Sequence, residues 1–492
     1  MVSWLAKKPG ICTSFIRKSQ SFLGPYTEKV TKKFLIRTFG CQMNEHDSER
    51  LAGLMVADGM VPTDDVEEAD VVVLNTCAIR ENAGNKLYGH LGHLRSIKER
   101  RPGMQIAVTG CFSQMDPEAI QRRADHVDVV VGTHNLLATP VLLRRSREEG
   151  NLLEILDGPD PEEATHGAPA LNAVREVPWA AWMTIQTGCD NSCAFCIVPS
   201  VRGEEISRPF DDLINEAETL ASRGVREITL LGQNVNSYGR DLTKRRPLFA
   251  ELLAGVGAVE GIERVRFTSP HPKDLRPETI EAMAHVSAVC NQLHLPLQSG
   301  SDRVLSAMRR GYTAERYLER LAAARHAIDD LSVSTDIIVG FPGESDQEFD
   351  ETLAVVAAAE YDSAYTFIFS PRPGTRAADM EGDFVAPEII AERFQRLNQV
   401  VERSALLKAS LRVGMQEEAL VEGPSRRDPA VTTGRTRQGK PIHFESSDPK
   451  AAIPGAFVKV EVTRGAPHHL EGRFISLLAE STTPRRLALQ AH

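Results

Sequence analysis

The stretch Trp182-Met-Thr-Ile-Gln-Thr-Gly-Cys-Asp-Asn-Ser-Cys-Ala-Phe-Cys196 sets an apolar run directly against three cysteines, Cys189, Cys193 and Cys196, with no fourth cysteine or histidine nearby. A closed structural zinc site takes four protein ligands, usually as paired CxxC knuckles. Three thiolates can instead hold a [4Fe-4S] cubane and leave its fourth iron open to a small molecule. The run before them reads as a β-strand, so the trio falls at a strand's carboxyl end, where parallel α/β folds gather their ligands.

Working outward, strand candidates follow at 182–187, 227–231, 265–268, 292–297, 333–339 and 365–369, separated by helical patterns such as 211–223, 277–285, 314–328 and 346–359. Six βα repeats predict an incomplete (β/α)6 TIM-like barrel over residues 179–407, with its site at the strand carboxyl ends. Upstream, strands at 34–39, 71–75 and 105–109 recur about every 35 residues, the spacing of βαβ units in an open parallel α/β sheet. Each runs into a cysteine, as Gly40-Cys41, Thr76-Cys77 and Gly110-Cys111, and a fourth strand is expected at 127–131. Residues beyond the ends of such strands converge, so Cys41, Cys77 and Cys111 imply a second three-thiolate site in a domain spanning 32–150.

Residues 157–178 turn acidic and then rich in Pro, Ala and Gly, which marks a linker over 151–178. After a long helical pattern from 387 to 410, short β-rich runs at 418–422, 430–433, 441–445 and 457–462 are broken by Gly and Pro. They predict a small antiparallel β-barrel over 408–476, followed by a tail, 477–492. Between 408 and 474 basic residues outnumber acidic ones, and Arg426, Arg427, Arg435, Arg437 and Lys440 cluster as phosphate contacts would, or as an ordinary solvated surface would.

At 492 residues the chain needs more than one core. A net charge of −10 argues against blanket nucleic-acid affinity but says nothing of local patches. The apolar runs fall well short of the roughly 20 residues of a membrane helix, so a soluble protein with no membrane partner is expected. Eight cysteines are too sparse for a disulfide scaffold and placed as ligands, which points to a reducing, cytoplasmic setting. Residues 1–31 carry Lys7, Lys8, Arg17 and Lys18 with no acid before Glu28, and read as a disordered extension rather than a transit peptide. Cys12 within it, and Cys290 before a barrel strand, are expected to be non-ligands.

The Cys189/Cys193/Cys196 spacing resembles the signature of radical S-adenosylmethionine (SAM) enzymes. That resemblance implies an open iron chelating SAM and cleaving it to a 5′-deoxyadenosyl radical. Further motifs match more narrowly: Thr38-Phe-Gly-Cys-Gln-Met-Asn-Glu-His-Asp-Ser-Glu49, Asn75-Thr-Cys-Ala-Ile-Arg-Glu-Asn-Ala83, Thr109-Gly-Cys111, Leu231-Gly-Gln-Asn-Val-Asn-Ser-Tyr-Gly239, His294-Leu-Pro-Leu-Gln-Ser-Gly-Ser301, Asp336-Ile-Ile-Val-Gly-Phe-Pro-Gly-Glu344 and Ser370-Pro-Arg-Pro-Gly-Thr375. Together they resemble the radical SAM methylthiotransferases from about residue 33 to 474. The carboxy-terminal barrel resembles that family's RNA-binding TRAM domain. In Gly434-Arg-Thr-Arg-Gln-Gly-Lys-Pro-Ile-His-Phe444, Gly439 stands where a polar residue is expected.

The resemblance implies two [4Fe-4S] clusters, an auxiliary one on Cys41, Cys77 and Cys111 and the radical one on Cys189, Cys193 and Cys196, with SAM as methyl donor and radical source. Polar side chains at neighbouring strand ends are candidates to hold SAM: Gln233, Asn234, Gln298, Ser299 and Asp336. Arg372 is a candidate for a carboxylate or phosphate, with a surface ion pair as its ordinary alternative. His468 and His469 read as solvent-facing or RNA-contacting, and Lys244, Arg245 and Arg246 as a solvated loop or a docking patch.

The Gly-Gln-Asn-Val-Asn-Ser-Tyr-Gly and Cys-Gln-Met-Asn runs resemble the MiaB branch most. That branch implies methylthiolation of carbon 2 of N6-isopentenyladenosine at position 37 of tRNA, with the anticodon stem-loop as partner. A flavodoxin or ferredoxin is the expected electron donor, and a sulfur donor must rebuild the auxiliary cluster. Two other readings are methylthiolation of threonylcarbamoyladenosine or a ribosomal-protein aspartate, and a non-catalytic iron–sulfur RNA-binding regulator.

Overall fold

The computed structural model describes residues 31–78, 81–158, 173–175 and 177–482. Nearly all of the expected extension with Cys12, most of the linker, and the end of the tail lie outside them.

Strands β1 (Lys33–Phe39), β2 (Val61–Pro62), β3 (Val71–Thr76), β4 (Gln105–Thr109), β5 (Val129–Val131) and β6 (Leu152–Glu154) form one sheet in the order β2-β1-β3-β4-β5-β6. Every pairing is parallel. All residues of β3 and β4 are buried, because apolar side chains cover both faces: Leu87, Leu91 and Leu94 on one, Leu51, Met55, Leu142 and Leu143 on the other. That double covering explains why these strands read as continuous apolar runs. The edge strands β2 and β6 are too short for periodicity to reveal. Strand order reverses between β1 and β3, a topological switch point where open sheets bind ligands, and Cys41 and Cys77 follow those two strands.

The expected strand 182–187 divides. β7 (Ala180–Thr184) stays in the barrel beside β10 (Glu227–Leu231). The chain then leaves the sheet, and β8 (Gln186–Thr187) pairs antiparallel with β9 (Ile206–Ser207). The buried Gln186 holds this departure by donating from Nε2 to Asn234 O at 2.9 Å. β11 (Arg264–Phe267) joins β10, while β12 (Gln292–His294), β13 (Ser332–Val339) and β14 (Ser363–Ile368) form a second parallel trio. Two backbone bonds, Val265 N to Ala288 O (2.8 Å) and Cys290 N to Val265 O (3.0 Å), unite the trios into one curved six-stranded array. One large core of Leu, Ile, Val and Tyr fills it. This is the incomplete barrel expected.

The helix Pro387–Ser410 packs on β14 and leads into a closed five-stranded barrel, β15 (Gln416–Pro424), β16 (Thr432–Thr436), β17 (Pro441–Glu445), β18 (Phe457–Ala466) and β19 (His469–Ala479), ordered β15-β16-β17-β19-β18. β19 is absent from the expected strands because register shifts along the β18–β19 ladder break the two-residue alternation.

The small barrel docks against the amino-terminal ends of the large barrel's strands, away from the cysteines. Arg264, the fully buried first residue of β11, donates to Arg435 O at 2.7 Å and pairs with Glu418 at 2.9 Å. Arg266 donates to the carbonyls of Thr436 and Arg437, at 2.8 and 3.0 Å. Just before β10, Arg226 reaches Gly455 O and Glu480 O at 3.0 and 2.9 Å. The basic cluster, read as phosphate contacts or a solvated surface, is therefore largely engaged within the molecule. Lys440 pairs with Asp362 at 2.8 Å, Arg435 with Glu422 at 2.7 Å, and Arg437 donates to Ser287 O and Val289 O at 2.6 and 2.9 Å. Of the five, Arg426 and Arg427 stay exposed. Gly439 has φ +78°, and a Cβ there would lie 2.4 Å from Gln292 Oε1, so this turn accepts no side chain where it meets the large barrel.

Candidate active site

Cys41 caps the helix Gln42–Ala57, Cys77 follows β3, and Cys111 opens the helix Cys111–Met115 after β4. Since β1, β3 and β4 are sheet neighbours, the three thiols sit side by side. A buried polar web fixes the first: Cys41 Sγ lies 3.3 Å from Asn44 Oδ1, Asn44 Nδ2 donates to Asn75 Oδ1 at 2.8 Å, and Asn75 Nδ2 returns to Asn44 O and Ser48 Oγ, both at 2.9 Å. The hydrogen bond with Cys77 pulls the Cys41 thiol down to about 6 despite burial, with Arg202 adding to the effect. Burial pushes the Cys111 thiol up, against the pull of Arg202.

The second trio rides a loop held on both sides. Cys189 N donates to Gly203 O (3.1 Å), Ala194 N to Met308 O (3.0 Å), and Ala377 N to Ala194 O (2.9 Å). Gly188 has φ +77°, and a Cβ on it would fall 1.7 Å from Glu204 O, so only glycine lets the chain swing Cys189 over the strand ends. Each thiol has a donor nearby: Asn191 Nδ2 at 3.5 Å from Cys189, Arg310 Nη1 at 3.2 Å from Cys193, and Val198 N at 3.4 Å from Cys196. Burial pushes the Cys189 thiol up, and burial with the neighbouring Cys193 charge pushes Cys196 up to about 12. Such thiols ionise only when a metal or a cation takes the charge.

Both trios face one cavity, lined by Cys41 and Cys111 from the first domain and by Cys189, Cys193 and Cys196 from the barrel. An apolar seam of Ala78, Cys111, Ile197 and Val201 seals the domains together at that level. His46 Nδ1 to Thr184 Oγ1 at 2.8 Å and Thr133 Oγ1 donating to Val201 O at 2.5 Å fasten its edges.

The five candidate SAM residues separate. Gln233 and Gln298 line the cavity. Gln233 Oε1 and both terminal atoms of Gln298 are buried without a protein partner. Gln298 has φ +71° and Ser269, also on the wall, φ +60°, conformations that cost of order 1–3 kcal/mol each and gather at ligand sites. Asp336 is fully buried, with Oδ2 3.4 Å from His294 Nε2. Asn234 instead braces the loop, donating to Asp274 Oδ2 at 2.9 Å, and Ser299 lies 3.2 Å from Thr352 Oγ1. Arg372 belongs to a turn closed by Thr375 N donating to Arg372 O. Cys290 lies at the opposite strand ends, and His468 is exposed.

Several wall residues gave no sequence signal. Arg202 and Arg310 are buried against the two trios. His271 accepts Lys273 N–H at Nδ1 (3.2 Å), which puts a neutral ring's proton on Nε2, and burial holds its pKa far down. Lys273 Nζ also donates to Asn191 Oδ1.

Family models match three segments: "Uncharacterized protein family UPF0004" at residues 33–132, "Radical SAM superfamily" at 183–356 and "TRAM domain" at 411–475. The tRNA-2-methylthio-N(6)-dimethylallyladenosine synthase of Nocardia farcinica (strain IFM 10152) is 49% identical over 449 residues, 89% of this chain and 88% of that protein. The synthase of the same name from Acidothermus cellulolyticus (strain ATCC 43068 / DSM 8971 / 11B) is 50% identical over 451 residues, 91% of this chain and 88% of that protein. The chain belongs to the tRNA-2-methylthio-N(6)-dimethylallyladenosine synthase family. It is a radical SAM enzyme of this synthase family, with a TRAM domain at its carboxyl end. Among solved structures, the radical SAM methyltransferase TsrM from Kitasatospora setae shares the fold, with TM-score 0.53 at 12% identity over 71% of this chain and 75% of that one.

Radical SAM membership implies SAM and a [4Fe-4S] cluster, and the barrel residues fit both. The donors are all sulfur, three thiols lining one cavity. The orphaned amides of Gln233 and Gln298 and the Ser269 hydroxyl supply the donors and acceptors that an amino acid and ribose require.

Proposed function

We propose that this chain installs a methylthio group on carbon 2 of N6-dimethylallyladenosine at position 37 of tRNA, using SAM and two [4Fe-4S] clusters, one held by Cys189, Cys193 and Cys196 and the other by Cys41, Cys77 and Cys111. The observation that carries this is the shared cavity: thiols from two domains line one wall-to-wall space. When loaded, the barrel cluster with SAM supplies a radical able to attack an unactivated aromatic C–H, and the second cluster supplies sulfur.

The chain's own residues prepare that space. Arg310 and Arg202 set positive charge against each trio, Gln233 and Gln298 present amide groups, and the Ala78–Ile197–Val201 seam keeps water from a reactive centre. His271 stays neutral and offers an N–H rather than a charge. The adenine must leave the anticodon-loop stack to enter, at a cost of about a few kcal/mol. Lys273, Arg276 and Arg320 come from loops and a helix at the carboxyl side of the strands, Arg320 donating to Pro272 O, and they support phosphate contacts around the mouth. Lys244 and Arg245 are exposed.

The chain is read as 32–150, 179–407 and 408–476 acting together in the cytoplasm, with a flavodoxin or ferredoxin delivering electrons and a separate donor replacing the sulfur. Among the described residues no helix is long and apolar enough to cross a membrane. Expression in a strain lacking its own methylthiotransferase, with mass spectrometry of tRNA nucleosides, tests the substrate. The expected product is 2-methylthio-N6-dimethylallyladenosine. Methylthio-threonylcarbamoyladenosine in its place, or no methylthiolated nucleoside at all, would overturn this reading.

A further inference from the structure

Arg202 ends the helix Val198–Arg202, which belongs to the barrel domain, yet its side chain is spent on the other domain. Nε lies 3.4 Å from Cys111 Sγ, and Nη2 is 2.7 Å from Asp47 Oδ2. Both partners sit in the amino-terminal domain, Asp47 on the helix that Cys41 caps. The ion pair is almost wholly enclosed, with side-chain exposures of 8% and 10%. A guanidinium has five N–H donors in a rigid fork, so it can serve a thiolate and a carboxylate at once, the carboxylate fixing its orientation.

A [4Fe-4S] cluster on three thiolates is an anion in both of its usual redox states, and a buried anion needs a cation or several donors to persist. Arg202 is hydrogen-bonded to an amino-terminal thiol, and it comes from outside that domain. We propose that Arg202 is a positioning residue for the cluster on Cys41, Cys77 and Cys111: the barrel domain supplies the counter-charge that sets this cluster's reduction potential, and Asp47 holds the guanidinium in place. The inference rests on the reading that these cysteines hold a cluster. The amino-terminal domain thereby provides the ligands and the barrel provides the charge, so the electronic state of the sulfur-bearing site depends on domain contact.

The experiment uses the full-length chain with Cys189, Cys193 and Cys196 all changed to Ala, reconstituted anaerobically so that the amino-terminal cluster is observed alone. Iron content is measured first, then the reduction midpoint by titration followed by electron paramagnetic resonance. Arg202→Gln removes a positive charge and is expected to disfavour reduction at least tenfold, a shift of about 59 mV for one electron. Arg202→Lys keeps the charge and is expected to recover most of that shift. Asp47→Asn removes the opposing charge and is expected to move the midpoint the other way. A merely structural contact would not give opposite signs. Midpoints for Arg202→Gln and Asp47→Asn that stay within about threefold of the parent equilibrium, or that move together, overturn the inference. If Arg202→Gln holds no cluster, Asp47→Asn decides alone: reduction favoured at least tenfold over the parent supports the inference, and a midpoint within about threefold of the parent overturns it. A parent protein that binds no iron removes the cluster reading itself, which is a separate result.

Discussion

Glu205 accepts a hydrogen bond from Ser237 Oγ at 2.6 Å and stands close enough to Cys189 to oppose its ionisation. Burial pushes its carboxyl up to about 7. A raised carboxyl pKa means the folded state holds its proton after the unfolded chain has lost it, so the stabilisation present at low pH is lost as pH climbs from about 4.5 to about 7. Glu205→Gln removes that penalty. The variant is expected to gain on the order of 1 kcal/mol over the parent at pH 8 and little at pH 4, allowing for partial solvent screening, as denaturant unfolding at the two pH values would show. Gly188→Ala tests the turn before Cys189: with carbonyl oxygen 1.7 Å from the new Cβ, the loop must shift. On the proposed two-cluster reading, iron should fall by roughly half, and full iron content would contradict this. At this scale the sequence displayed its cysteines because their spacing is local. Arg202 and Arg310 were illegible, since an arginine's neighbours in sequence say nothing of which buried thiol it will reach across a domain boundary.

Among elements, the long strands were read well and the short ones were not. β3, β4 and β13 are buried on both faces and announce themselves as apolar runs, whereas β2 and β6 carry too few residues for any period. The division of β7 from β8 depends on Gln186 bonding to the loop after β10, a tertiary contact no local pattern encodes. The docked TRAM barrel shows the same limit. Its basic residues read equally as phosphate contacts or as a solvated surface, but Arg264 and Arg266 on β11 draw the carbonyls of Arg435, Thr436 and Arg437 against the large barrel. Arg264→Ala is expected to cost about 3 kcal/mol, the low end of the range for a broken buried pair, because Glu418 can rehydrate. Urea unfolding should show the loss, and limited proteolysis should release the carboxy-terminal barrel sooner. Unchanged protection of that barrel would mean the buried arginines do not hold it.

The whole molecule is arranged as a sandwich in which the large barrel carries its chemistry at one end and its TRAM domain at the other. Sequence alone placed the two cysteine trios at strand ends, but it did not reveal that the two domains present those ends to each other. That facing follows from contacts far apart in the chain, such as His46 with Thr184 and Asp47 with Arg202. On the proposed reading, the two three-thiolate sites form one centre, each serving a different half of the reaction. The direct test compares the intact protein with two triple variants, Cys41/Cys77/Cys111→Ala and Cys189/Cys193/Cys196→Ala, after anaerobic reconstitution with SAM, reductant and tRNA carrying the dimethylallyl group. The intact protein should hold about eight iron atoms and yield both 5′-deoxyadenosine and methylthiolated tRNA. The first variant should hold half the iron and still release 5′-deoxyadenosine without modifying the tRNA, and the second should yield neither product. Methylthiolated tRNA from the first variant would contradict the account.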